Sequence, residues 1–226
     1  TPKRVETGKR LPLIFLLHGY SGNYKQWHSI MDAQSYADKY GFIIVTPDGL
    51  YNSWYINSPR QKNSQFEDFF MKELYTDVVK KYNVDTENIF ITGLSMGGHG
   101  ALSIFLNNID KFKSAGSTSG AVDLSTLGTK YGIDQLFDNP EPTLLKQFSV
   151  VGNIHKLKGS AKEIIFDSGD QDQFYSMNNA LKVTTDELKI KATYISQPGA
   201  HNRAYWSKSI RQQFEFFKAQ TTNILN

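Results

Sequence analysis

The sequence predicts an α/β fold, a mainly parallel sheet with helices packed on both faces. Two features lead there. Short apolar runs of strand length alternate with segments of helical period, the rhythm of repeated βαβ units. Several of the runs are apolar throughout rather than alternating, which fits strands covered on both faces. Size agrees: 226 residues, 39% hydrophobic and 13% aromatic, suffice for a single domain over 1–226 with a substantial core.

In order, "LPLIFLL" (11–17), "GFIIVTP" (41–47), "NIFIT" (88–92), "SAGSTSG" (114–120), "EIIFDSG" (163–169) and "KATYISQ" (191–197) are the expected strands. Between the second and third, Phe66, Phe70, Leu74, Val78 and Tyr82 recur every fourth residue and predict a helix with one buried stripe. Behind the third, "GHGALSIFLNN" has helix composition. Near the end, Trp206, Ile210, Phe214 and Phe217 mark another buried stripe. Residues 123–160 break the rhythm with "DNPEP", scattered glycines and no long periodic stretch. They read as an excursion over the carboxyl edge of the sheet, a cap or pocket wall; the plainer alternative is a surface loop with short helices.

Composition excludes several function classes. The formal net charge is +3 and the basic residues are scattered, so the electrostatic footprint of a nucleic-acid binder is missing. No apolar run approaches the roughly 20 residues that cross a bilayer. Cysteine is absent, which removes thiol nucleophiles, disulfides and zinc–thiolate sites. The opening "TPKRVETGKR" holds neither an initiator methionine nor an apolar signal segment, as if an N-terminal piece had been removed or the numbering began inside a longer chain.

The stretch with the most chemical content is "TGLSMGGHG" (92–100). A Gly-x-Ser-x-Gly match is weak alone, with a chance occurrence on the order of 5–10% in a chain of this length. Position sharpens it. A short strand precedes the stretch and a helix follows, so Ser95 sits at the apex of a strand–turn–helix, the geometry of a nucleophile elbow. Gly93 and Gly97 flank a bend too sharp for a Cβ. A phosphate cradle fits worse, because no lysine follows the glycines and their spacing is not that of a dinucleotide fingerprint. A bare structural loop remains the other alternative.

A serine hydroxyl needs a base, and the base an orienting acid. In this kind of sheet the chain order is serine, acid, histidine. "FDSGDQDQFY" leaves the fifth strand through a turn carrying Asp167, Asp170 and Asp172, and "QPGAHNRAYW" leaves the sixth and places His201 before the last helix. Both lie at carboxyl ends of strands, where open α/β sheets assemble their sites. The residues alone leave the choice of aspartate open.

"LLHGYSGN", "TPDG", "NSWY", "GLSMGGHGAL", "DSGDQD" and "PGAHNRAYW" together resemble the esterase D / feruloyl-esterase branch of the α/β-hydrolase superfamily, over about residues 11–218. That branch includes S-formylglutathione hydrolases, acetyl- and feruloyl-esterases and bacterial mycolyltransferases. The resemblance implies the α/β-hydrolase fold and a serine esterase. It favours Asp172 as the acid, through the pattern Gly169-Asp170-Gln171-Asp172, with Asp170 as runner-up and Asp167 in the strand. It also implies an oxyanion hole from the backbone N–H groups of Tyr20 and Met96, and makes His18 structural. His99 reads as a packed helix residue, while His28 and His155 have no partner motif. Such enzymes usually carry an antiparallel strand pair ahead of "LLHG"; only about ten residues precede it here, so the first strands are expected to be missing, with Val5 a remnant.

The implied chemistry is acyl transfer from an ester through an acyl-enzyme, with no metal or cofactor. Trp54 and Tyr55 in "YNSWYINSP" are candidate aromatic pocket walls; alternatively Trp54 anchors its loop as core. "DGLYNSWYINSP" most resembles polysaccharide-associated esterases, pointing to a carbohydrate-linked feruloyl or acetyl ester and to a secreted or periplasmic bacterial protein. The alternatives are S-formylglutathione hydrolysis, an acyltransferase that prefers a sugar alcohol to water, and an inactive binding module on the same fold.

Overall fold

The computed structural model describes residues 1–221. Six strands form one parallel sheet: β1 (Leu11–Leu17), β2 (Ile43–Val45), β3 (Val84–Gly93), β4 (Ser114–Thr118), β5 (Ile164–Gly169) and β6 (Ala192–Gln197), in the spatial order β2-β1-β3-β4-β5-β6. The α-helices are α1 (Gln26–Ile30), α2 (Ala33–Tyr40), α3 (Phe66–Phe69), α4 (Tyr75–Lys81), α5 (Met96–Asn107), α6 (Ile133–Leu136), α7 (Pro142–Gln147), α8 (Val150–Asn153), α9 (Tyr175–Glu187) and α10 (Arg203–Gln220).

Strand pleating divides the core in two. Leu13, Phe15 and Leu17 face one side, with Phe70, Val78, Leu102, Phe105 and Leu181. Ile14 and Leu16 face the other, with Trp27, Tyr40, Ile210, Phe214 and Phe217. Full coverage explains the apolar runs without alternation.

Strand bounds differ from expectation where local geometry decides. β2 keeps only three residues, because Gly41 caps α2 in the left-handed region (φ 75°) and β2 pairs with β1 alone. β4 ends at Thr118, since Ser119 turns to φ 48°. β3 begins early, at Val84, which pairs with Leu11. The stripe spaced by four is also reshaped. A π-helical turn, Phe70–Leu74, joins α3 to α4 and widens the pitch, so Phe66, Phe70 and Val78 stay buried. Leu74 is half-buried, and Tyr82 lies past the helix end and is exposed. Val5 belongs to no strand and is 45% exposed, so the expectation of a remnant strand there fails: no partner strand lies beside it among the described residues.

Candidate active site

β3 ends in a turn that lifts Ser95 above the sheet. Ser95 has φ 55° and ψ −117°, a conformation that costs on the order of 1–3 kcal/mol and persists only where its surroundings enforce it. They do so closely. The Ser95 N–H donates to the Thr118 carbonyl at 3.0 Å, and the Ser95 carbonyl accepts from His99 and Ala121 N–H groups at 3.1 and 3.2 Å. A Cβ on Gly93 would lie 2.4 Å from the Gly97 oxygen, and one on Gly97 would lie 2.3 Å from the Leu17 oxygen. Both contacts are with backbone, so neither can yield cheaply.

His201 and Asp172 reach this serine from two neighbouring turns. His201 Nε2 lies 3.0 Å from Ser95 Oγ, and Nδ1 lies 2.9 and 3.1 Å from the Asp172 carboxylate oxygens. With the ring proton on Nδ1, Nε2 is left to accept the serine hydroxyl. The turns are stitched together by Asp170 N–H to Gln197 O (3.0 Å) and Gln171 N–H to Gly199 O (2.9 Å). Phe174 and Trp206 meet the His201 ring edge-to-face at 5.0 and 5.1 Å and fix its plane.

The three aspartates separate cleanly. The Asp172 side chain is buried and accepts the Phe174 N–H at 2.8 Å. Burial alone would raise its pKa, but the hydrogen bond and charge of His201 outweigh this and hold the carboxyl below its ordinary value. Asp170 is exposed and accepts the Gly199 N–H at 3.2 Å, away from the imidazole. Asp167 is sealed inside β5.

The loop after β1 closes over the serine. Gly19 N–H donates to Gln26 Oε1 at 2.7 Å and Ser21 N–H to Tyr51 O at 2.8 Å. The intervening Tyr20 N–H has no acceptor among the described residues, and neither has the Met96 N–H at the start of α5. Buried His18 bridges two loops, with Nδ1–H donating to Gly19 O at 2.8 Å and Nε2 accepting the Gly49 N–H at 2.7 Å. Burial lowers its pKa, which suits this neutral, structural arrangement. His99 is buried with Nε2 2.9 Å from the Phe148 oxygen.

A family model described as "Putative esterase" matches residues 1–217. The chain belongs to this esterase family. It is 27% identical over 196 residues to the S-formylglutathione hydrolase of Arabidopsis thaliana, covering 77% of this chain and 68% of that protein. It is also 27% identical over 227 residues to the acetyl esterase of Caldicellulosiruptor saccharolyticus, covering 92% of this chain and 84% of that protein. A solved ferulic acid esterase superposes with a TM-score of 0.81 at 22% identity, covering 96% of this chain and 88% of that one, a likeness of α/β-hydrolase fold. The esterase is thus a carboxylic ester hydrolase.

A cavity of about 190 Å³ opens beside Ser95 in the esterase. Tyr20, Trp54, Tyr131, Phe174 and Trp206 are among the residues that line it, together with Gln26, Gln173 and His201. Trp54 is among these lining residues although it is only 1% exposed and belongs to the core, held by its indole N–H to Tyr131 O at 3.1 Å. Tyr55 is not. Its ring is fully buried under Gly100 and its hydroxyl donates to His18 O at 2.8 Å, so the expectation that it lines the pocket is corrected: consecutive left-handed residues 54 and 55 turn it into the core. Tyr131, Phe174 and Trp206 were not anticipated. Phe174 and Trp206 lie within five residues of the acid and the histidine in sequence, a usable signal; Tyr131 comes from the excursion and has none. A larger open depression, about 650 Å³, lies by β2 among Thr1, His28, Asp32 and Thr46, and none of Ser95, Asp172 and His201 lines it.

Proposed function

We propose that the esterase works through Ser95 as nucleophile, His201 as general base and acid, and Asp172 as the group that orients the imidazole. The 3.0 Å contact between Ser95 Oγ and His201 Nε2 supports this most directly. His201 takes the serine proton as Oγ attacks the ester carbonyl. The carbonyl oxygen becomes an oxyanion held by the Tyr20 and Met96 N–H groups, each worth about 10²–10³ in rate. Collapse expels the alkoxide, which takes the proton from His201 and leaves an acyl-enzyme. Water, deprotonated by His201, then releases the acid and regenerates Ser95. Asp172 keeps Nδ1 protonated and stabilises the transient imidazolium.

For the substrate, the reading is a carbohydrate-linked feruloyl or acetyl ester. The observation behind it is the cavity: its lining holds no acidic, lysine or arginine side chain and five aromatic ones. Such walls suit a flat or short neutral acyl group. Tyr51, which packs edge-to-face on Tyr20 at 5.1 Å and is largely exposed, extends the aromatic surface outward, where a sugar ring can stack. Glutathione, with two carboxylates and an ammonium, finds no cationic side chain in this lining. The resemblance of "DGLYNSWYINSP" to polysaccharide-associated esterases supports a secreted or periplasmic protein, with a cytoplasmic one as the alternative. Rates with acetylated and feruloylated oligosaccharides, methyl ferulate and S-formylglutathione test the reading. It expects the sugar esters to give the highest kcat/KM, and preference for the thioester would overturn it.

A further inference from the structure

Asp167 has no part in these steps, yet its carboxylate is fully buried and accepts three side-chain hydrogen bonds. Thr118 Oγ1 of β4 donates at 2.7 Å, and from α10 Ser209 Oγ donates at 2.5 Å and Gln213 Nε2 at 2.7 Å. Thr92 Oγ1 of β3 donates to Gln213 Oε1, which turns the Gln213 NH₂ toward the carboxylate. None of these three donors carries a charge, and neither does the Tyr205 hydroxyl beside the carboxylate. A buried acid without a cation is costly, and burial pushes this carboxyl above its ordinary range even though hydroxyl and amide donors pull the other way. The residues before it in β5 are Ile164, Ile165 and Phe166, so the core alone would be better served by an apolar side chain.

What the cluster holds is informative. Thr118 is the residue whose carbonyl accepts the Ser95 N–H, and Thr92 lies three positions before Ser95 in β3. Ser209 and Gln213 anchor α10, whose N-cap, Asn202, adjoins His201 and accepts the Tyr205 N–H at 3.1 Å. Tyr205 in turn packs on Gly199, two residues before His201. Asp172 follows on the turn that leaves the same strand as Asp167. One carboxylate thus joins the supports of all three groups.

We propose that Asp167 is a positioning residue: by holding α10 against β3, β4 and β5 it sets the Ser95–His201 distance, without touching a reacting atom. This rests on the reading of Ser95, His201 and Asp172 as the catalytic set. Asparagine at 167 can retain the network. Its oxygen accepts from Thr118, its NH₂ donates to Ser209, and a flipped Gln213 amide accepts from it and donates to Thr92. Alanine can retain none of it.

The test measures kcat and KM for 4-nitrophenyl acetate, per titrated active site in Asp167→Ala, Asp167→Asn and Ser209→Ala, and the rate per mole of folded protein in Ser95→Ala. Asp167→Ala is expected to lose on the order of 10- to 100-fold in kcat with KM unchanged, as sub-ångström misplacement of a base does. Asp167→Asn should recover most of that loss. Should Asp167→Ala not fold, Ser209→Ala carries the test, with a smaller fall in kcat at constant KM. A folded Asp167→Ala with wild-type kcat, an Asp167→Asn no better than alanine, or a Ser209→Ala with unchanged kcat would each overturn the proposal. If Ser95→Ala keeps its activity, the catalytic reading itself has failed; if only the Asp167 and Ser209 variants are silent, the positioning claim alone falls.

Discussion

Asp172→Asn should disable catalysis through a single proton. In the esterase one carboxylate oxygen of Asp172 accepts the Phe174 N–H at 2.8 Å, while the other faces His201 Nδ1 at 2.9 Å. An asparagine oriented by the same backbone donor keeps its oxygen on Phe174 and turns its NH₂ toward Nδ1. That NH₂ must donate, so Nδ1 becomes an acceptor and the ring proton moves to Nε2. Nε2 then points a proton, rather than a lone pair, at Ser95 Oγ across 3.0 Å. The base is lost while the geometry stays. A wrong tautomer of this kind costs about 10⁴ in kcat, or about 5 kcal/mol of transition-state stabilisation. Steady-state hydrolysis of 4-nitrophenyl acetate at pH 7 measures it, with Asp170→Asn as control. Asp170 only accepts the Gly199 N–H, which an asparagine oxygen also accepts, so that variant should stay within about threefold of wild type. If Asp172→Asn kept a tenth of wild-type kcat, or Asp170→Asn lost more than it, the assignment of the acid would be wrong.

Three further perturbations have defined outcomes. Gly97→Ala puts a methyl 2.3 Å from Leu17 O and 2.5 Å from His18 O, both backbone, and should cost on the order of 10² in kcat/KM by displacing the loop that carries the Tyr20 N–H; an alanine variant with wild-type kinetics would refute the close approach. His99 is held near pKa about 4 by burial, against 6.5 when unfolded, so the unfolded chain binds the extra proton and stability falls as pH drops from about 6.5 to about 4. The loss approaches about 3 kcal/mol, and urea titrations at pH 7, 5.5 and 4 should show it shrink in His99→Gln. Tyr131→Ala removes the excursion's contribution to the cavity wall while leaving the backbone oxygen that holds Trp54, so longer acyl esters should gain relative to acetate; an unchanged chain-length profile would exclude Tyr131 from the acyl side.

Much of this was legible in the chain because it is local. The elbow is written in Gly93, Ser95 and Gly97, where each glycine answers to close backbone contacts. Several strands were visible because both faces of the sheet are covered and their runs are apolar without alternation. Asp172 was separable from Asp170 only by resemblance, since the difference is which way a turn aims its side chains, and no local pattern encodes that. Tyr55 departs from expectation for the same reason: two successive residues with positive φ send it inward, whereas the sequence offers it as an aromatic pocket wall. Tyr131 and the Asp167 cluster depend on contacts between residues 49 to 121 positions apart, beyond any periodicity.

The account turns on Ser95 being the activated nucleophile, and covalent labelling tests this most directly. Incubation with a fluorophosphonate, followed by intact-mass and peptide analysis, should give one adduct, on Ser95, absent from Ser95→Ala and formed far more slowly in His201→Ala. An adduct on another residue, or none in protein that still hydrolyses esters, would contradict it.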